Sequence, residues 1–172
     1  MEPATESQTV ATLRTSFAVL RADGHYRVVA TRSIAIEQVI MSFEGIMVAE
    51  PSRYSIQIGS DQHLESPPDE AREVMFDIRP WRFLNHSCAP NARVSGRNLI
   101  ALRAIAPWEQ ISFDYNTTEY RLAAPFQCRC GETTCCGTVS GFAALAPEQR
   151  ERRRPHLAPH LIAMLREEDA RD

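Results

Sequence analysis

Apolar and polar residues alternate along most of this chain only over short spans, and the spans end at turn formers. Runs rich in β-branched and aromatic residues at 16–20, 26–31, 39–43, 54–58, 99–103 and 111–115 predict short strands. Asp23-Gly24, Gly59-Ser60-Asp61 and Ser95-Gly96 supply turns between them. No long helical period interrupts these runs, so the pattern predicts a mainly β domain. From Leu145 onward the pattern changes. Pro147 takes a first-turn position with Glu148 and Glu151 near a helix N-terminus. Pro155 and Pro159 interrupt that helix, and 160–168 reads as a second, with Leu161, Ile162 and Leu165 on one side. Both are expected to pack on the domain. The stretch 61–77 sets Asp61, Glu65, Asp69, Glu70, Glu73 and Asp77 against Arg72 alone. It predicts a solvated loop with a helical turn after Pro68, and an acidic surface of this kind also attracts a cationic substrate.

Composition changes this picture little. A chain of 172 residues suits one domain, and a hydrophobic content of 44% with 24% charged residues is ordinary for a soluble globular protein. The net charge of -3 leaves no basic footprint, so no nucleic-acid partner is expected. No apolar run approaches the roughly 18 residues of a membrane span, so no membrane partner is expected either. The first ten residues are polar and acidic, unlike a secretory signal, which makes a cytoplasmic location the default expectation. All 19 basic residues are arginines. With the many alanines and prolines, that bias reads as a GC-rich, bacterial coding sequence.

Cysteine placement is the first sign of chemistry. Four of the five cysteines lie between Cys128 and Cys136, which in a reducing compartment points to metal rather than to disulfides. Cys128, Cys130 and Cys135 form C-x-C-x4-C in a glycine-containing loop, a spacing that lets three thiols converge on one tetrahedral zinc ion. Cys136 is adjacent to Cys135, and neighbouring residues rarely both face one metal, so Cys88 in Asn85-His86-Ser87-Cys88 is the better fourth ligand. Two other uses stay open: inert buried thiols, and Cys88 as a nucleophile beside His86.

Three motifs then carry a resemblance. Arg82-Phe83-Leu84-Asn85-His86-Ser87-Cys88-Ala89-Pro90-Asn91 resembles the R-F-x-N-H-S-C-x-P-N segment of the SET-domain lysine methyltransferases. Glu109-Gln110-Ile111-Ser112-Phe113-Asp114-Tyr115-Asn116 resembles their E-x-I-x-F-D-Y motif, and the cysteine cluster with Gly137 resembles their post-SET element. Weaker similarity at Val29-Ala30-Thr31, Ile34 and Phe43-Glu44-Gly45 extends this back to about residue 28. The resemblance implies a flexible N-terminus over 1–12, a SET domain over 13–120, a zinc-binding post-SET element over 121–143 and a C-terminal helical extension over 144–172. It also implies a fold of short sheets, β-clip-like, in which the segment 85–88 threads beneath a loop as a pseudoknot.

By the same resemblance, S-adenosyl-L-methionine and substrate enter from opposite faces and meet through a narrow channel. Arg82, Phe83, Asn85, His86 and the backbone around Tyr26 and Arg27 are expected to hold the cofactor, and Phe142 to stack on its adenine. Tyr115 and Tyr54 are the expected catalytic pair, with Phe113 and Tyr54 on the channel wall; Asp114 is expected to face away and be structural. The residue types suit the chemistry. Methyl transfer from a sulfonium is an in-line displacement governed by alignment. The lysine amine, with a pKa near 10.4, must first lose a proton, and an apolar channel favours that neutral form. One departure stands out: the family's opening G-x-G turn corresponds here to His25 and Arg27, where side chains narrow the approach of backbone to cofactor. Trp108-Glu109-Gln110 replaces a common Pro-Gly-Glu-like turn. A protein or peptide bearing a lysine is the leading substrate expectation. A bacterial tailoring enzyme for a free amino acid, peptide or other small amine, and a non-catalytic binding module, are the alternatives.

Overall fold

The computed structural model describes residues 8–9, 16–22 and 24–170. β1 (Gln8–Thr9), β2 (Phe17–Ala22) and β3 (His25–Ala30) form an antiparallel meander in that order. Gln8 and Thr9 are therefore paired, against Arg21 and Leu20; the rest of the expected loose N-terminus lies outside the described residues. β4 (Val39–Ser42) leads to a second three-stranded meander of β5 (Ile46–Val48), β6 (Ile56–Gly59) and β7 (Gln62–Glu65), ordered β5-β7-β6. The acidic stretch ends in α1 (Arg72–Ile78), one turn longer than a single helical turn and anchored by Phe76 in the core. β8 (Asn85–His86), β9 (Ala92–Ser95), β10 (Asn98–Ala101) and β11 (Ser112–Phe113) join β4 in a five-stranded sheet, ordered β4-β10-β9-β11-β8. A hairpin of β12 (Phe126–Gln127) and β13 (Thr138–Val139), then α2 (Pro147–Arg153) and α3 (Pro159–Asp169), complete the chain.

The position of β11 decides what the site is made of. It runs parallel to both β8 and β9, which are consecutive in sequence, so the link 87–91 crosses from one side of β11 to the other. Asn91, buried at the end of this link, fixes the crossing. Its side-chain amide donates to the Gln110 carbonyl (2.8 Å), and its Oδ1 accepts the Ser112 N–H (3.0 Å). The side-chain amide thus satisfies one backbone acceptor and one backbone donor of the 110–112 segment.

Beneath the sheets lies one apolar core, with Val19, Val28, Phe43, Leu64, Trp81, Leu99 and Ile111 among its buried members. A smaller cluster of Phe142, Leu145, Leu157 and Leu161 sits under the C-terminal helices. The helices fall where the proline pattern puts them, and Leu161 is the α3 residue fully buried.

Several expected strands are shorter than the pattern implies, and two of them have a clear local reason. The strand expected over 54–58 begins only at Ile56, because Ser52 and Ser55 exchange hydrogen bonds through their hydroxyls (2.9 and 3.2 Å to backbone N–H) and close a turn with Tyr54 in it. The strand expected over 111–115 stops after Phe113, because the Asp114 carboxylate accepts the Asn116 N–H (3.0 Å) and starts a 3-10 turn at Tyr115–Thr117.

Candidate active site

A cavity of about 640 Å³ opens between the turn before β6, the strand β8, the end of β11 and the segment 122–130. Its size falls in the range typical of small-molecule and cofactor pockets. Arg82, Asn85, His86, Phe113, Tyr115 and Tyr54 all line it, so six of the residues singled out from the motifs converge on one space. Glu119 and Phe126 line it too, and no motif spacing had marked either.

Tyr115 reaches this space from the 3-10 turn rather than from a strand, yet its ring centroid lies 4.8 Å from that of Phe113. Its hydroxyl donates to the Leu84 carbonyl (2.7 Å), and burial followed by the charge of Glu119 pushes its ionisation well above the usual tyrosine range. The phenol is thus an oriented, neutral hydrogen-bonding group and not a base. The Tyr115 N–H donates to His86 Nδ1 (3.2 Å). Burial lowers the His86 pKa, so the ring is neutral with Nδ1 as acceptor, and its 3.6 Å approach to Asp114 is not an ion pair. Tyr54 stands at the mouth, 53% exposed, with the Arg82 guanidinium 4.8 Å from its ring centroid. Arg82 is in turn held by an ion pair to Glu65.

Four residues expected at the cofactor site do not line this cavity. Phe83 and Tyr26 turn their rings toward Phe76, with centroids 4.8 and 5.4 Å from it, and pack against the core instead of the cavity. Tyr26 touches the site only through its backbone carbonyl, which accepts from Asn85 Nδ2 (2.9 Å). Arg27 pairs with Leu20 inside the β2–β3 hairpin and does not line the cavity. Phe142 is buried against Leu145, Leu157 and Leu161, with Arg150 over its ring, because the C-terminal helices need an apolar anchor. The aromatic that the tail does bring to the cavity is Phe126, 6.1 Å from Tyr115 and 6.0 Å from His86, ring centre to ring centre.

Asp114 faces away from the cavity, as expected, and is structural. Its Oδ1 binds Asn116 and its Oδ2 accepts Arg153 Nε at 2.6 Å, a buried ion pair to α2. Asn116 extends the tie: its Oδ1 accepts the Gly141 N–H (3.0 Å), and its amide reaches Cys136 Sγ (3.6 Å). Gly141 adopts φ +98°, and a Cβ there would come within 2.7 Å of the Tyr120 carbonyl, so only glycine fits.

The thiols of Cys88, Cys128, Cys130 and Cys135 all lie within 4.8 Å of one another, and none is in a disulfide. Cys88 Sγ and Cys128 Sγ are 3.8 Å apart, close to the edge of about 3.8 Å that tetrahedral Zn–S bonds of about 2.3 Å produce. Cys136 falls outside this quartet and meets Cys88 from the other side (3.6 Å). Burial raises the Cys88 pKa, whereas a hydrogen bond from the Glu132 backbone N–H holds Cys130 down to about 7.

Glu119 carries the least expected chemistry. It is 6% exposed, and its Oε1 accepts the Gln57 N–H at 2.8 Å. Among the described residues it forms no ion pair. Burial pushes its pKa up to about 8, against the lowering effect of the Gln57 hydrogen bond.

Comparison with known proteins agrees with this geometry. The SET domain family profile matches residues 25–116, more than half of the chain. A "Histone-lysine N-methyltransferase, H3 lysine-36 specific" of Saccharomyces cerevisiae is 40% identical over 131 residues, covering 67% of this chain and 18% of that protein. The protein of the same description from Mycosarcoma maydis is 43% identical over 82 residues, covering 43% of this chain and 8% of the relative. The chain therefore spans less than a fifth of the length of these curated relatives. Among solved structures, KRYPTONITE in complex with mCHG DNA and SAH aligns at a TM-score of 0.55 with 20% identity, over 75% of this chain and 30% of that one. The methyltransferase domain of human SETMAR aligns at 0.50 with 17% identity, over 70% and 56%. These two likenesses bear on the fold, which is that of a SET domain. With the profile match, the interleaved β8, β11 and β9 and the converging motif residues, this chain belongs to the SET-domain family.

Proposed function

We propose that this chain is an S-adenosyl-L-methionine-dependent N-methyltransferase whose acceptor is a lysine side chain of a protein or peptide. The observation that carries the reading is the meeting of Tyr115, Phe113, Asn85 and His86 in one cavity, in a chain of this family. The relatives named above, described as histone-lysine methyltransferases, support it. So does the presence of SAH in the KRYPTONITE complexes, one of which also holds an H3(1-15) peptide. The residues present fit the cofactor: the cavity has the volume for a nucleoside, and the rings of Tyr115, Phe113 and Phe126 offer faces that attract a cationic sulfonium. When bound, that group supplies an electrophilic methyl. The chain's own part is to align and to dry. Tyr115, fixed by Leu84 and His86, orients the acceptor nitrogen, and Phe113 excludes water from its path.

The cysteine quartet fits zinc by thiol chemistry and by the 3.8 Å edge, and we assign Cys88, Cys128, Cys130 and Cys135 as its ligands. The ion would tie the tail, with Phe126 on it, to the segment that carries Asn85 and His86; no step of transfer passes through it. That no nucleic acid takes part is a proposal resting on the net charge of -3. The relatives named are eukaryotic, and the bacterial origin read from the arginine-only composition rests on composition alone.

Incubating the protein with methyl-labelled cofactor and a cell lysate, then separating proteins from small molecules, tests the reading. Label recovered as methyl-lysine in protein is expected. Label confined to small molecules would move the acceptor to a free amine, and label in neither fraction would remove the enzymatic reading.

A further inference from the structure

The cavity holds an acid that the protein itself does not pair. Glu119 is a buried carboxyl group that, among the described residues, has no arginine or histidine partner; its one hydrogen bond there is from the Gln57 N–H to Oε1. Its neighbours on the cavity wall are not built to receive it either. Arg82 is committed to Glu65, and Tyr115 gives its proton to the Leu84 carbonyl. A buried carboxylate without a cation is costly, and such groups shift their ionisation or wait for a partner. A purely structural acceptor for Gln57 would need one neutral oxygen, which a glutamine supplies as well. The carboxylate is in excess of that role.

On the reading that this cavity methylates an amine, we infer that Glu119 is the residue that receives the acceptor: it pairs with the incoming ammonium through its second carboxylate oxygen and takes one proton from it before methyl transfer. The balance is simple. The ammonium loses one proton and keeps the nitrogen lone pair; the carboxylate becomes a neutral carboxyl. The nitrogen–methyl bond then forms as the methyl–sulfur bond breaks. The methylated product leaves as a cation, and the carboxyl returns its proton to water. A carboxyl with a pKa near 8 is a far better match to an amine than an ordinary one, which is how buried acids become bases near neutral pH.

The other charged and titratable groups around the cavity leave this assignment readable. Arg53, Arg82 and Arg129 also line the cavity, and burial holds His86 below the usual histidine range. The Tyr115 phenol is raised and Tyr54 stands at the mouth, while Cys128 and Cys130 belong to the zinc quartet. From outside, His63 on β7 lies against Gln57 and His160 on α3 meets the Thr118 carbonyl; burial lowers both.

Glu119→Gln keeps the acceptor for Gln57 and removes the charge. With a lysine peptide near pH 7 it should lower kcat about a hundredfold, with cofactor affinity by calorimetry unchanged. The deficit should shrink as pH approaches 10, where free amine becomes abundant without help. Unchanged kcat, an equal deficit at every pH, or lost cofactor affinity would each overturn the proposal. Should the wild-type protein transfer no methyl at all, the enzymatic reading fails, and calorimetry with n-butylammonium chloride decides the contact separately. Binding to the wild type that Glu119→Gln weakens at least tenfold upholds the cation site; equal or absent binding removes it.

Discussion

Tyr115 and Glu119 show how one cavity holds two groups that the sequence presents very differently. Tyr115 sits in a dense motif, and its place beside Phe113 follows from that motif even though the strand expected to carry both ends early. Glu119 lies four residues further on with no spacing to mark it; only its burial, and the lack of an ion pair among the described residues, reveal it. Phe126 and Phe142 make the same point in reverse. Both are tail aromatics next to the cysteine cluster, and only the pull of Leu145, Leu157 and Leu161 decides that Phe142 packs away while Phe126 faces the site. Two outcomes belong at this scale. Tyr115→Phe should cut turnover about a hundredfold in steady-state assays while calorimetry finds cofactor affinity intact, since the phenol orients and does not bind. Glu119 should also make stability depend on pH. Its carboxyl holds a proton up to about 8 in the folded chain but only to its ordinary 4.5 when unfolded. Between those values the native state binds more protons, so stability falls as pH rises through that window. Thermal melts should find Glu119→Gln close to wild type at pH 4 and clearly more stable than it at pH 9.

At the scale of elements, the site depends on a strand inserted between two consecutive ones. The crossing of 87–91 over β11 brings Asn85 and His86 beside Ser112 and Phe113, and Asn91 holds it there. Short strands such as β8, β11, β12 and β13 hold two residues each, too few for any alternation, so their pairing was beyond reach of periodicity. The helices were easier, because Pro147 marks the first turn of one plainly and the prolines at 155 and 159 separate it from the next, which begins at Pro159 itself. Their role was not. α2 reaches the motif through Arg153, whose guanidinium pairs with buried Asp114 at 2.6 Å. Arg153→Met should leave that carboxylate unpaired and cost about 3–5 kcal/mol, read as a lower urea midpoint with an unchanged slope. An unchanged midpoint would mean that α2 is held by its apolar contacts alone.

For the whole molecule, the tail is the part that has to be assembled. The main apolar core under the sheets draws no residue from it, whereas 122–130 forms one wall of the cavity and meets the Cys88 thiol through Cys128, with Cys136 further along the tail held by the Asn116 amide. On the zinc assignment proposed above, a chelator should therefore expose the segment 122–137 to protease while the circular dichroism of the sheets persists. Simultaneous loss of both would place the metal in the core fold instead. The central claim, that motif strands and a zinc-held tail together build a cofactor pocket, is most directly tested by calorimetric titration of S-adenosyl-L-methionine into zinc-loaded and zinc-stripped protein. The account predicts saturable binding to a single site in the first and its loss in the second; no binding at millimolar cofactor, or equal binding to both, would contradict it.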